Sequence, residues 1–326
     1  MAHDESGTLL YLSRADVIAT ELDIRTVERA VEQVFVDKAL GRIQYHPKTT
    51  VKPSHGLGYF LGMPGDVAEP PVAGIKWVGL APPSPGGGPH IVGLIVLSDS
   101  KTCAPLAVLD ATWITGVRTA AVTAVGARVL ANPNSSTVTF VACGLQARTH
   151  LDALRLHFPI TDVIAVSRRA ETAAAFVDHA KGLGLKARVS ANAENAVSAA
   201  DIVVSSVPPS PGLKPFLDAR WIKPGGFAAF VDLGRSWLAE GVNQMDGLVT
   251  DDVPQAEGLA RHGHISHKGP YSIDIGEIVA GRKPGRTRPD QRFVLLPPGM
   301  VLSDLAVGAE VLKRARAKGL GIPLPF

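Results

Sequence analysis

Residues 137–147 read Thr137-Val138-Thr139-Phe140-Val141-Ala142-Cys143-Gly144-Leu145-Gln146-Ala147. A fully apolar strand stops at a glycine-containing turn, and a helical pattern follows to about residue 156. A strand that is apolar throughout, rather than on alternate residues, is buried on both faces, as in parallel sheets covered by helices. The unit recurs downstream. Asp162-Val163-Ile164-Ala165-Val166 is a second strand, a helix follows over 170–183, and strands are predicted near 186–190, 201–207, 226–232 and 247–250. This alternation predicts an α/β fold with a doubly wound, Rossmann-type parallel sheet.

Upstream the texture differs. Ile24, Val27, Val31, Val34 and Phe35 recur at helical spacing after a capping Asp23, which predicts a helix over 24–40. Short extended segments follow around 47–51, 57–63, 72–80, 91–97 and 104–109, with punctuation such as Pro82-Pro83-Ser84-Pro85-Gly86-Gly87-Gly88. Residues 111–131 turn helical and alanine-rich. A last helix over about 304–318 carries Leu305, Gly308, Ala309, Leu312 and Ala315 on one face, and Gly319 stops it. We expect it to return to the N-terminal unit. The division read from the sequence is therefore a discontinuous α+β domain, 1–115 with 303–326, for substrate binding and dimerisation, and a dinucleotide-binding domain over 116–302.

The chain has 326 residues, which suggests about two domains. With 46% hydrophobic and 19% charged residues it is no disordered chain. A net charge of +3 gives no argument for a nucleic-acid partner. The 2 cysteines, Cys103 and Cys143, cannot form a disulfide framework or a four-cysteine zinc site. The N-terminal MAHDESGTLL lacks a basic region and a long apolar run, and no stretch reaches about 18 apolar residues, so neither a signal peptide nor a membrane span is expected. The expectation is a cytoplasmic protein with no metal. His262, His264 and His267 read as a surface loop rather than a metal site. Arg282, Lys283, Arg286, Arg288 and Arg292 read as a solvated loop.

The turn Cys143-Gly144-Leu145-Gln146 is not a clean G-x-G-x-x-G, because Ala142 and Ala147 replace two glycines. Gly144 sits where the chain must approach a pyrophosphate, and the next helix offers it N-terminal amides. The second strand ends Ser167-Arg168-Arg169, where an NAD site usually has an acid. Two guanidiniums and a hydroxyl suit a 2′-phosphate, so NADP(H) is expected in preference to NAD(H); the alternative is a solvated basic turn. Ser206, Val207 and Val231 are counted with the cofactor-binding residues. Lys76 interrupts the apolar strand Val72-Ala73-Gly74-Ile75-Lys76-Trp77-Val78. It is either an edge lysine reaching water or a cation over a substrate carboxylate or carbonyl, able to donate a proton. Arg118 lies on the alanine-rich helix beside small residues, and its fork matches a carboxylate; a structural ion pair is the alternative.

Several segments together resemble the ornithine cyclodeaminase/μ-crystallin family. They are Gly74-Ile75-Lys76-Trp77-Val78, the T-x-x-R-T-A-A motif in Ile114-Thr115-Gly116-Val117-Arg118-Thr119-Ala120-Ala121, and Gly144-Leu145-Gln146-Ala147-Arg148. Lys223-Pro224-Gly225, Gly276-Glu277-Ile278 with Gly281-Arg282, Asp304-Leu305 and Ala315 with Gly319 and Gly321 follow the same pattern. The resemblance spans about residues 10–322. It implies a homodimer formed through the N-terminal β-unit and last helix, with a Rossmann domain and a discontinuous substrate domain. It makes Lys76 the substrate lysine and Arg118 a substrate-carboxylate or cofactor contact. Lys48 falls where the family has a carboxylate-binding arginine, to which lysine is not equivalent.

The chain departs from the family after Lys223-Pro224-Gly225. The acid/base aspartate of cyclodeaminases falls on Gly234, and Asp232 stands two residues early. Asp232 either takes part in catalysis or holds the loop, and Arg235 and Trp237 shape the substrate pocket. The expected function is NADP(H)-dependent reduction of a small α-imino acid, a ketimine or cyclic imine, or of an α-keto acid, to an amino acid. The alternatives are a cyclodeaminase-type lyase that keeps NAD bound, and a noncatalytic protein that binds NADPH and a small ligand.

Overall fold

The computed structural model describes residues 7–56, 58–81, 91–210, 212–265 and 267–325. The Pro82–Gly88 stretch lies outside the described residues. The chain divides into two units, Met1–Arg118 with Met300–Phe326, and Thr119–Gly299. The first contains β1 (Thr8–Leu12), α1 (Arg14–Ala19), α2 (Ile24–Ala39), β2 (Thr49–Val51), β3 (Tyr59–Val67), β4 (Val72–Leu80), β5 (Ile91–Asp99) and β6 (Pro105–Asp110). The helix α3 (Thr112–Leu130) starts there and continues into the second unit. The second contains β7 (Thr137–Val141), α4 (Leu145–Leu154), β8 (Asp162–Val166), α5 (Ala170–Gly182), β9 (Lys186–Val189), α6 (Ala193–Ala199), β10 (Ile202–Ser205) and β11 (Phe227–Phe230). It continues with α7 (Ala239–Val242), β12 (Gly247–Thr250), α8 (Val253–Arg261), β13 (Ile273–Asp274), α9 (Ile275–Val279) and β14 (Phe293–Leu295). The last elements, α10 (Val301–Lys318) and β15 (Ile322–Pro325), belong to the first unit.

In the first unit a seven-stranded sheet runs β15-β1-β6-β5-β4-β3-β2. Among the described residues only its β1–β6 pair is parallel. Asp23 caps α2 by accepting from Thr26 N at 2.9 Å, and Val27, Val31 and Phe35 are buried. α10 packs on α2 and on β3, β4 and β5. Gly74 allows that approach, since an added Cβ would lie 2.8 Å from Leu305 Cδ2 and inside contact distance of Val96 O. Gly319 ends α10 at φ 64°, a conformation that side chains disfavour. The pleat places Lys76 on the helix-covered face, between Met63 of β3 and Ile95 of β5. On the other face Trp77 pairs with Leu94 across β4 and β5 and stacks on Phe60 at 5.2 Å. Trp77 and Leu94 are 42% and 43% exposed. Alternation through Val96, Val108 and Tyr11 carries this apolar face to Ile322 on β15.

In the second unit an eight-stranded sheet runs β13-β12-β14-β11-β10-β7-β8-β9, with every pair parallel. The expected doubly wound order is present. From β7 the chain winds outward through β8 and β9, then crosses back to β10, β11 and β14. The order reverses between β7 and β10, the point where such sheets bind ligands at their carboxyl ends. The apolar strands are buried as their composition requires, with Phe140, Val204, Phe227 and Leu295 fully covered. Among the described residues no helix is long and apolar enough to cross a membrane.

Candidate active site

Lys76 and Arg118 meet on one carboxylate. Lys76 Nζ lies 2.6 Å from Asp304 Oδ1, and Arg118 Nε lies 3.1 Å from the same oxygen. Lys76 also donates to Thr115 Oγ1 at 2.7 Å. The Thr115 hydroxyl in turn donates to Ala111 O at 2.6 Å. Lys76 comes from the middle of β4, Thr115 and Arg118 from successive turns of α3, and Asp304 from the first turn of α10. Lys76 and Asp304 are 2% and 0% exposed. β4 is flanked by β3 and β5, so the edge-lysine alternative does not hold. Arg118 makes the ion pair that was its structural alternative.

Burial pulls the Lys76 ammonium down to about 8, against the opposing charge of Asp304; Arg118 adds to the downward pull. Burial pushes the Asp304 carboxyl up, but Arg118, Lys76 and Lys48 outweigh it and hold it below the usual carboxylate range. Lys48, half-buried just before β2, thus faces the same aspartate. Lys76 and Arg118 bond the Asp304 carboxylate, and Lys48 acts on it electrostatically.

The second unit offers an anion site. Gly144 begins α4 with no side-chain cap, so the first amides of the helix lack that partner. A Cβ added at Gly144 would meet nothing within 4 Å, so the approach is open. Ala142, in place of the usual glycine, holds φ 71°. Its amide is tied to Val166 O at 2.8 Å, which joins the turn to the end of β8. Cys143 is buried with its thiol pushed up to about 12 by burial, so it serves as packing under the turn. Leu145 is exposed, and the half-buried Gln146 carries a buried Oε1 with no hydrogen bond. At the end of β8, Ser167 accepts from Arg169 N at 3.4 Å, and Arg168 and Arg169 are exposed. Arg169 lies 4.0 Å from Glu171 on the surface. Ser206, Val207 and Val231 follow the ends of β10 and β11, half-buried. An open cradle at a helix N-terminus, at the point where the winding reverses, fits a dinucleotide pyrophosphate.

Asp232 lies just past β11 and is buried. Oδ1 accepts from Ser205 Oγ and from Gly234 N, each at 3.1 Å, and Oδ2 accepts a short bond from Ser236 Oγ. Trp237 Nε1 donates to Ser205 Oγ at 2.8 Å, and its ring stacks on Phe230 at 4.2 Å. Burial pushes the carboxyl up to about 6, although Ser236, Ser205, Arg235 and Gly234 favour its charge. These bonds tie the ends of β10 and β11 to the following loop. Arg235 is half-buried beside Asp232, whereas Trp237 is wholly enclosed. Trp237 therefore shapes no pocket by direct exposure.

Two surface expectations change in part. His262 and His264 are exposed, but His267 is buried, edge-on to Tyr271 at 5.9 Å. Among the described residues no group of three or more His, Cys, Asp or Glu side chains could hold a metal ion. Arg286 is no solvated charge. It donates to the carbonyls of Leu130 and Gln291 at 2.9 and 2.6 Å and covers the Phe293 ring. The sequence reading missed Asp304, Thr115, Ser205 and Ser236 as members of these clusters. Asp304 carried a signal, since with Gly308, Leu312 and Ala315 it falls on the apolar stripe of α10, where an unpaired acid would be costly.

The model of the ornithine cyclodeaminase/mu-crystallin family matches residues 10–319. An alanine dehydrogenase of Archaeoglobus fulgidus is 32% identical over 315 residues, covering 91% of this chain and 92% of that protein. The solved structure of an archaeal alanine dehydrogenase dimer with bound NAD superposes with a TM-score of 0.87 at 31% identity, covering 98% of this chain and 99% of the other. A Thermococcus litoralis Delta(1)-pyrroline-2-carboxylate reductase, solved with NADH and L-proline, gives 0.86 at 25% identity, covering 97% and 100%.

Proposed function

The chain belongs to the ornithine cyclodeaminase/mu-crystallin family, and we propose that it is an NADP(H)-preferring oxidoreductase that reduces a small α-imino acid, such as a cyclic ketimine, or an α-keto acid. The observation that carries the reading is the buried cluster of Lys76, Arg118 and Asp304, with Lys48 facing it. Two cations on one carboxylate suit a substrate carboxylate, with Arg118 as its bidentate partner and Lys48 nearby as a further contact. The relatives named alanine dehydrogenase and pyrroline-2-carboxylate reductase support chemistry at a carbon–nitrogen bond. Gly144, Leu145 and Gln146 would hold the pyrophosphate, Ser167, Arg168 and Arg169 the 2′-phosphate, and Ser206, Val207 and Val231 the strand-end side of the cofactor; Cys143 would support the turn from below. When bound, the nicotinamide supplies a hydride to the carbon that becomes the amino acid's Cα. Lys76 supplies the proton that the imine nitrogen takes up, and water then reprotonates it. Its value near 8 suits a donor that must be recharged at neutral pH. Asp232 accepts from Ser205 at the end of β10 and from Gly234 and Ser236 in its own loop, which favours a role in holding Arg235 and the strand ends over proton transfer.

The first unit is assigned substrate binding and dimerisation, and the second dinucleotide binding. The test of function is NADPH oxidation driven by a panel of α-imino and α-keto acids, with the product identified by mass spectrometry. Amino-acid formation with stoichiometric NADPH consumption is the expected result. Ammonia release without net consumption would instead mark a cyclodeaminase, and no turnover a binding protein.

A further inference from the structure

We propose that Asp304 and Thr115 are positioning residues for Lys76, taking two of its nitrogen's hydrogens so that the third tetrahedral direction is aimed at the substrate. The inference rests on the assignment of Lys76 as proton donor above and deepens it. Thr115 Oγ1 gives its own hydrogen to Ala111 O. It must therefore accept from Lys76, which fixes the direction of that bond. Asp304 Oδ1 accepts from both Lys76 and Arg118, while Oδ2 is buried without a hydrogen bond. With Asp304 and Thr115 as acceptors, the charged amine carries its proton in the third direction and the neutral amine carries its lone pair there. The proton can leave and return without a change of rotamer.

Charge complements this geometry. The groups facing Lys76 and its partner are Asp304 from α10, Arg118 and Thr115 from α3, and Lys48 from the segment before β2. Burial and Arg118 favour the neutral amine, and Asp304 favours the ammonium. Asp304→Asn can keep an oxygen toward the two cations while it removes the charge. Arg118→Gln removes the opposing cation. The two changes therefore shift Lys76 in opposite directions, whereas a general loosening of the cluster would move both the same way.

The test is a heteronuclear NMR titration of the full chain with isotope-labelled lysine, the Lys76 signal identified by its loss in Lys76→Arg. The wild-type midpoint is expected at about 8. Asp304→Asn should lower it by about one pH unit or more, and Arg118→Gln should raise it. Thr115→Val should lower it, and Thr115→Ser should restore it. In the imine-reduction assay the alkaline limb of kcat/KM should move with each midpoint. An unmoved midpoint in Asp304→Asn, or shifts of one sign in Asp304→Asn and Arg118→Gln, overturns the proposal. If Asp304→Asn does not fold, the Arg118 and Thr115 variants still decide it: a midpoint that fails to rise in Arg118→Gln or to fall in Thr115→Val refutes it. The titration uses no substrate, so the expected shifts without any imine turnover would fault the assigned reaction and not the placing of Lys76.

Discussion

Arg168 and Arg169 stand exposed at the end of β8, with no acid at the strand tip to receive a ribose hydroxyl. A free 2′-phosphate would gain two charge-assisted partners there, each stronger than a neutral hydrogen bond. Changing both to alanine should weaken NADPH binding by about 10-fold or more, consistent with the loss of at least one such bond, while leaving NADH within about 2–3-fold. Equilibrium fluorescence titration checks this, and equal wild-type affinities for the two cofactors would contradict it. The place of these arginines at the end of β8 was legible because the strand before them is, and the residue after a parallel strand has a fixed place. Lys76 was legible because a charge inside an apolar strand needs a reason. Asp304 was not assigned a role, because its partners lie 228 and 186 residues away and no local spacing records them.

At the scale of elements, the contact of α10 with β4 sets where Asp304 stands. Gly74 has no space for a larger side chain between Val96 and Leu305. Gly74→Val should displace α10 from the sheet at a cost of about 1–3 kcal/mol, a fall of several degrees in Tm by calorimetry. An unchanged Tm would mean that the helix packs elsewhere. The strands β3 to β6 were readable from their extended segments and Gly/Pro punctuation, α2 and α10 from their periodicity, and α3 from its alanine content. β14 was not, because its three residues precede Pro297 and Pro298 and make too short an apolar run to stand out. β15 was hidden by Pro323 and Pro325, which an edge strand tolerates. Asp232 illustrates the limit of strand-end reasoning. Its place past β11 was readable, but its bonds to Ser205 and Ser236 come from side chains on different segments.

For the molecule as a whole, the exposed apolar face of the first sheet, from Ile322 through Leu94 to Trp77, supports the proposed homodimer, since monomers rarely leave such a face uncovered. Light scattering should give a dimer at micromolar concentration, and Trp77→Asp with Leu94→Asp should shift it to monomer. A wild-type monomer would contradict the assignment. Imine reduction should depend on the Lys76 cluster of the first unit. Steady-state NADPH oxidation with a cyclic imino acid such as pyrroline-2-carboxylate, compared between wild type and a Lys76→Ala variant shown to be folded by circular dichroism, tests it most directly. The expected result is a loss of roughly 10²–10⁴-fold in kcat/KM, because the proton donor and the charge it holds beside the reacting nitrogen both go, and a smaller loss for Asp232→Asn. A folded Lys76→Ala variant with near wild-type kcat/KM would show that the Lys76 cluster is not the active site.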